Sequence, residues 1–430
     1  MIRFTKENIY FFWLVLLLFA PPFHSTYRSF RIDNILILLL FIVNFRKYFV
    51  YSAKNYTALN KGLLWCFSLV GITIAINSFR PEAQIGAKTF INFYGFLRWW
   101  MVFVFSIYSI RSDEFADKVL KYVMYGFIFH ALLGIVGFFK GSSIYNPVML
   151  IYQNRFLALH SNIRSVGAMG LVHDLSNFMA VALCVSVFLL FFRIAREKLS
   201  RSFLICIAAS SFIALVLTFS KGAFLSVIIF FLFILAKINI GKKIKFFIIA
   251  TLLAAGVLLF TYWLAPTESF GNYLRQVVTL KRTQTESIFD ERIQNYQRSL
   301  ESFKEHPVIG YGPEYPRIFF IGDGFYAGHL YFYGSIGGIG YLLYVLIFWR
   351  WFNRVRGINI RLKHYNEALW AFFGQALLVL CLALNFARAA YTERTLELVF
   401  VLFALFAFNS TRYVRARTEP HQVINNREVI

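Results

Sequence analysis

The chain has 430 residues, of which 59% are apolar, 20% aromatic and only 15% charged. Soluble domains carry about 25% charged residues, so an ordinary soluble globule is excluded, and the apolar content excludes a disordered chain as well. The net charge of +23 would suggest nucleic acid on a soluble protein; on this chain it is weighed first as a topology signal, because Lys and Arg collect in the cytoplasmic loops of membrane proteins.

Apolar runs of about 20 residues, long enough to cross a hydrocarbon core, recur from end to end. In chain order the sequence predicts spans near 8–23, 32–45, 62–79, 89–110, 119–139, 166–192, 202–219, 222–237, 246–265, 328–349, 368–387 and 394–411. The expected fold class is all-α: a polytopic transmembrane helical bundle of about 12 spans, with one large periplasmic loop containing short helices. The first run ends in Pro21-Pro22-Phe23-His24 rather than at a small-residue cleavage site, so it reads as an uncleaved span. Cys66, Cys184, Cys206 and Cys381 all fall inside apolar runs without metal-ligand spacing. They read as small core residues, with no disulfide expected.

With the N-terminus inside, the inner segments hold 26 of the 44 Lys and Arg residues, among them Arg46, Lys47, Arg193, Lys242, Arg350 and Arg354. The expected topology therefore puts both termini in the cytoplasm, and no nucleic-acid partner is needed to explain the charge. The chain divides into residues 1–265 with spans one to nine, a loop over 266–327, and 328–430 with spans ten to twelve and a cytoplasmic tail. That loop is too long for a connector. It carries seven Lys/Arg and eight Asp/Glu, and Ile293, Tyr296, Leu300 and Phe303 give it a helical pattern over 290–305.

Charges at the outer surface run against the sorting bias, and Arg164, Lys221, Arg292, Arg298 and Arg394 are among them. Arg and Lys suit phosphate, Arg as a fork and Lys as a point charge; some of these groups are equally readable as solvated loop charges. Lys221 lies in the Ser220-Lys221-Gly222 break between two apolar runs. There it must reach an anion, a cavity or the interface. His306-Pro307 stops the loop helix, and Gly310 and Gly312 form a turn. Asp323 and His329 precede or open span ten, and either can orient or deprotonate a hydroxyl; each is also readable as an interfacial polar residue. Arg98 beside Trp99-Trp100 fits an aromatic belt as well as a buried charge. No HExxH, P-loop or GxSxG pattern occurs, so zinc hydrolysis, ATP use and serine chemistry have no support.

Four features in order resemble the O-antigen polymerase and ligase superfamily of bacterial inner membranes. They are Arg164-x-x-Gly167 with Asn177-x-x-Ala180; Ser220-Lys221-Gly222-Ala223, with Lys where the family has Arg; Arg292 with His306-Pro307-x-x-Gly310-x-Gly312; and Asp323-x-x-Tyr326 with Tyr333-Gly334-x-Ile336-Gly337. The resemblance implies glycosyl transfer on the periplasmic face, without metal or cofactor, from undecaprenyl-diphosphate-linked oligosaccharides. It places Arg164, Lys221 and Arg298 on the substrate diphosphate, and Arg292, Asp323 and His329 in catalytic roles, with Arg292 also facing the diphosphate. Ligases of the superfamily carry a His-Asn pair in the closing motif; here Gly322-Asp323 stands there and His329 is followed by Leu330, which favours a polymerase. The alternatives are a ligase that moves the chain to lipid A–core and a non-enzymatic flippase for lipid-linked sugars. The partners implied are a chain-length regulator and a flippase.

Overall fold

The computed structural model describes residues 5–20, 23–24, 29–80, 87–137, 172–194, 199–218, 220–238, 285–312, 325–387 and 393–413. Among them the helices run Lys6–Phe19 (α1), Ile32–Asn55 (α2), Thr57–Asn77 (α3), Ala87–Ser109 (α4), Asp113–Val136 (α5), Val172–Phe192 (α6), Arg201–Leu217 (α7), Lys221–Lys237 (α8), Thr285–Glu305 (α9), Phe325–Arg361 (α10), Tyr365–Ala387 (α11) and Glu393–Ser410 (α12). The protein is a polytopic helical membrane protein. Among the described residues six helices are long and apolar enough to cross a bilayer, within α2, α3, α5, α6, α10 and α11, and Arg201–Leu217 and Gly222–Lys237 are shorter apolar helices. In hydrocarbon a helix satisfies its own backbone, which is why apolar runs and helices coincide. The ninth expected span, 246–265, lies outside the described residues.

Several helix starts are written locally. Thr5, Ser112 and Ser200 each accept a hydrogen bond from the backbone N–H three residues on, at Asn8, Phe115 and Phe203. This satisfies a donor that the first turn leaves orphaned. Two helices outrun the expected spans by ten residues or more at their C-terminal ends. α2 continues past 45 to Asn55, bending at Asn44, whose side-chain amide donates to the Leu40 carbonyl at 3.2 Å. Arg46, Lys47 and Lys54 therefore ride on a helix rather than in a loop. α10 likewise runs to Arg361, carrying Arg350, Arg354 and Arg356. The loop helix is longer than its apolar pattern indicated, Thr285–Glu305. One unpredicted feature is a two-residue antiparallel pair, Phe23 opposite Phe30 and His24 opposite Ser29.

The helices sort into a centre and a rim. The Asp174–Phe192 window of α6 is 83% buried, against 22% for α2. Leu398 to Ala407 of α12 is an almost fully buried apolar run with Glu393, Arg394 and Glu397 at its start. α12 packs on α4 and α11, while α10 packs on α3 and α11 and receives α9. On α2, Leu39, Ile42 and Val43 point outward, as expected of a helix facing lipid tails. Cys66, Cys184 and Cys381 are buried, but Cys206 is exposed on α7, which corrects its expected core placement. Close approach of α10 and α3 relies on small residues: a Cβ on Gly340 would come to 3.1 Å from the Cys66 carbonyl and from Leu69.

Candidate functional site at a broken helix

The loop helix α9 ends at Glu305, and the chain turns back through Pro307 to Gly312. Gly310 (φ +66°) and Gly312 (φ +84°) take the left-handed conformation, as the paired glycines in the sequence suggested. The turn docks onto a break in α10. At Gly334 the backbone leaves the helix, with φ +58° and ψ −161°, a conformation essentially restricted to glycine. The break frees backbone groups, and the turn pairs with them. Tyr311 N donates to the Tyr331 carbonyl at 2.8 Å and Gly312 N to the Phe332 carbonyl at 2.9 Å. In return, Ser335 N donates to the Pro307 carbonyl at 2.8 Å and Ile336 N to the Val308 carbonyl at 3.1 Å. Irregular backbone at membrane depth is tolerated only where protein satisfies it in this way. Tyr311 stacks on Tyr331 with ring centroids 4.8 Å apart. The approach leaves no room for side chains: a Cβ on Gly310 would lie 2.6 Å from Gly334 N, and one on Gly334 would lie 2.5 Å from Gly310 N.

One turn before the break, His329 is 3% exposed. Phe325 stacks against it at 5.1 Å, and Phe96, Tyr333 and Tyr341 complete a ring cage at 5.6, 5.0 and 5.9 Å. Both imidazole nitrogens are buried without a well-formed hydrogen bond among the described residues, and the Gly337 backbone is the polar group within reach. Leaving such groups unsatisfied costs about 1–3 kcal/mol each, and exceptions of this kind call for an explanation, a catalytic role among them.

Phe96 leads to a second polar assembly through its helix neighbour Arg98. Arg31 donates to both carboxylate oxygens of Asp33, at 3.0 and 2.6 Å, and also pairs with Glu397. Arg98 Nε lies 2.6 Å from Glu397 Oε1. Arg394, one turn earlier on α12, pairs with the Ala20 carbonyl and reaches His130 Nε2 at 3.4 Å. His130 in turn meets the Leu18 carbonyl at 2.6 Å. All of these side chains are buried. Arg98 is therefore a buried charge rather than an aromatic-belt residue. Arg31, Asp33, His130 and Glu397 carried no local motif. The usable signal was only that charged residues inside a span pair with one another.

The sequence-expected site residues fall out as follows. Arg164 and Asp323 lie outside the described residues. Lys221 is the first residue of α8, after Ser220 in the N-cap position, so the expected break is a helix start. Arg292 and Arg298 both lie on α9, with Arg298 exposed. His329 is the buried one. α9 packs directly on α10, which brings the helix of Arg292 and Arg298 against the helix of His329. Asn177 and Ala180, the other half of the first motif, are buried in α6. Among the described residues no group of three or more His, Cys, Asp or Glu is arranged to hold a metal ion.

Residues 204–332 match the family model described as O-antigen ligase. This match places the segment in the O-antigen polymerase and ligase superfamily. Members of that family are glycosyl-transferring enzymes. The matched stretch takes in Lys221, Arg292, Arg298, Asp323 and His329 and stops two residues before the break at Gly334. A search of curated proteins finds no match to the chain.

Proposed function

We propose that this protein is a polysaccharide polymerase that joins undecaprenyl-diphosphate-linked repeat units at the periplasmic face of the bacterial inner membrane. An acceptor hydroxyl attacks the anomeric carbon of the donor chain. The bond from that carbon to the diphosphate breaks, and the lipid diphosphate leaves with the electron pair. The proton passes to Asp323 or His329, which orients or deprotonates the hydroxyl. Arg164, Lys221 and Arg292 face the diphosphate, with Arg298 in support, and stabilise the negative charge that grows on it in the transition state. Holding two lipid-linked chains in one geometry lowers the entropic barrier. The donor is already activated, so neither ATP nor a metal ion enters the scheme.

The observation that carries this reading is the buried imidazole of His329 inside the family-matched segment, which has no well-formed hydrogen bond among the described residues. A substrate hydroxyl supplies that hydrogen bond. The absence of Asn after His329 favours polymerase over ligase. The ligase remains the second reading because the matched family is described by that activity. A lipopolysaccharide gel of a strain lacking the gene, run beside an extract of its lipid-linked sugars, separates the two. Core bearing one repeat unit and no ladder supports the polymerase. Bare core with long chains retained on undecaprenyl diphosphate supports the ligase. An unchanged ladder removes the protein from O-antigen synthesis. Arg292→Ala at normal membrane levels is expected to abolish chain growth, and full activity would take Arg292 out of the site.

A further inference from the structure

The turn between α9 and α10 is held from a side that neither helix provides. Its N–H groups at Gly310, Tyr311 and Gly312 go to His306, Tyr331 and Phe332, and its carbonyls at Pro307 and Val308 accept from Ser335 and Ile336. The carbonyls of Ile309 and Gly310 are taken by the C-terminal end of α3 and the residues just after it. Asn77 Nδ2 donates to the Ile309 carbonyl at 2.8 Å. Arg80 Nη1 donates to the Gly310 carbonyl at 3.1 Å, and its Nη2 lies 3.3 Å from His306 Nδ1. A guanidinium only donates, so Nδ1 of His306 is the acceptor in this contact. The Gly312 backbone lies flat on Asn77, where a Cβ would stand 3.5 Å from the Asn77 Cβ. Asn77 is buried and Arg80 half-buried. More than 220 residues of chain separate these donors from their acceptors.

We infer that Asn77 and Arg80 are positioning residues for the glycosyl-transfer site: they clamp the Pro307–Gly312 turn and so fix α9, with Arg292 and Arg298, against the His329 end of α10. The inference rests on the proposed transfer reaction for its consequence, but the clamp itself is readable without it. Neither residue has to touch substrate. Arg80 acts through Gly310 and His306, at the hinge where a small change of angle is carried along α9. Misplacement of reacting groups by about 1 Å costs on the order of 100-fold in rate, so loss of the clamp falls on turnover rather than on the amount of folded protein. Arg80→Lys keeps one donor for the Gly310 carbonyl and is a partial replacement.

The test uses the full-length protein in native membranes, with Arg80→Ala, Arg80→Lys, His306→Ala and the Arg80→Ala/His306→Ala double variant. Two readouts run in parallel: initial transfer rates over a range of lipid-linked donor, and the rate of trypsin cleavage within α9. The expected result for Arg80→Ala is normal membrane level, kcat lower by about 10- to 100-fold with KM little changed, and cleavage within α9 several-fold faster. Arg80→Lys should recover most of kcat. The double variant should be no worse than Arg80→Ala alone, because both changes open one contact. Wild-type kinetics and unchanged α9 cleavage in Arg80→Ala would overturn the clamp. So would a loss that follows membrane level and is not rescued by Lys, since that is a merely structural role. If the wild type transfers no lipid-linked sugar while the cleavage pattern comes out as expected, the proposed reaction falls and the clamp stands.

Discussion

Two buried polar assemblies meet across Phe96, and they are built in opposite ways. At the broken helix, the bonds that join the turn to α10 run mainly backbone to backbone, and glycines at 310, 312 and 334 let the two strands of chain approach. At the ends of α2 and α12, the bonds run through long charged side chains, with Arg31 and Arg98 sharing Glu397. The first assembly depends on the absence of side chains. Its geometry is fixed by φ and ψ, and little can be exchanged in it. The second depends on charge balance. Its geometry is set by where the helices put their side chains, and a whole pair can be exchanged but half of one cannot. The site residues follow that division: His329 and the turn that anchors α9 belong to the backbone-built region, while the ion network ties α2, α4 and α12 behind it.

The largest expected effect is on the charged side. Glu397→Gln leaves Arg31 and Arg98 buried without their shared carboxylate. Breaking a buried pair in this way costs about 3–5 kcal/mol, read as a lower thermal unfolding temperature of the detergent-solubilised protein. Replacing Arg98 and Glu397 together by Met and Leu should cost far less, since the exchange removes both charges. A double variant as damaged as the single one would break the comparison.

Next comes Gly334→Ala. It adds a Cβ 2.5 Å from Gly310 N and the Val308 carbonyl, at a backbone conformation with φ +58°. The backbone strain alone is worth about 1–3 kcal/mol, before the clash displaces the turn. Here no second substitution should compensate. Limited proteolysis at the turn and the unfolding temperature both report it. A stable, protease-resistant Gly334→Ala would mean that the break does not depend on glycine.

A smaller effect is expected where α3 meets α4. Trp100 Nε1 donates to Asn60 Oδ1 at 2.6 Å, and both residues are buried. Trp100→Phe keeps most of the ring packing against Phe41 and Phe67 and leaves the Asn60 carbonyl oxygen unsatisfied, at about 1–3 kcal/mol. An unchanged melting temperature would show that a water or another donor replaces the indole.

The difference between the two regions also explains what could be read from the sequence. Span positions were legible because a bilayer forces apolar composition and helical backbone onto the same residues; only span nine falls where the structure has nothing described. Helix α9 was legible through Ile293, Tyr296, Leu300 and Phe303, and the turn through Pro307, Gly310 and Gly312, because periodicity and glycine placement are local. The partner of that turn was not legible. Gly334 stands among other glycines, Gly337, Gly338 and Gly340, and nothing near it in sequence says that α10 breaks there to receive residues 307–312. The charged assembly was still less visible. Arg31 and Glu397 are 366 positions apart, and no spacing rule links residues across that distance. Arg98 could be placed beside the tryptophans that follow it, yet its ion-pair partner belongs to the last helix. Helix ends misled for a different reason: α2 and α10 stay helical past the apolar run, because charged residues such as Lys47 and Arg354 are good helix formers once out of lipid.

The smallest expected effect sets the lower bound of the comparison. Lys118 Nζ and Glu114 Oε1 lie 2.7 Å apart, one turn along α5, with side chains 51% and 80% exposed. The distance is as short as that between Arg98 and Glu397, at 2.6 Å. If distance governed the contribution of an ion pair, Lys118→Ala would unfold the protein almost as readily as loss of Glu397. Water decides otherwise: an exposed pair gives up little hydration, gains little attraction and is screened by salt. Lys118→Ala should leave the unfolding temperature within measurement error, at low and at high salt alike. A clear destabilisation at low salt that salt removes would show that the surface charges act collectively, and the contrast with the buried network would then be one of degree.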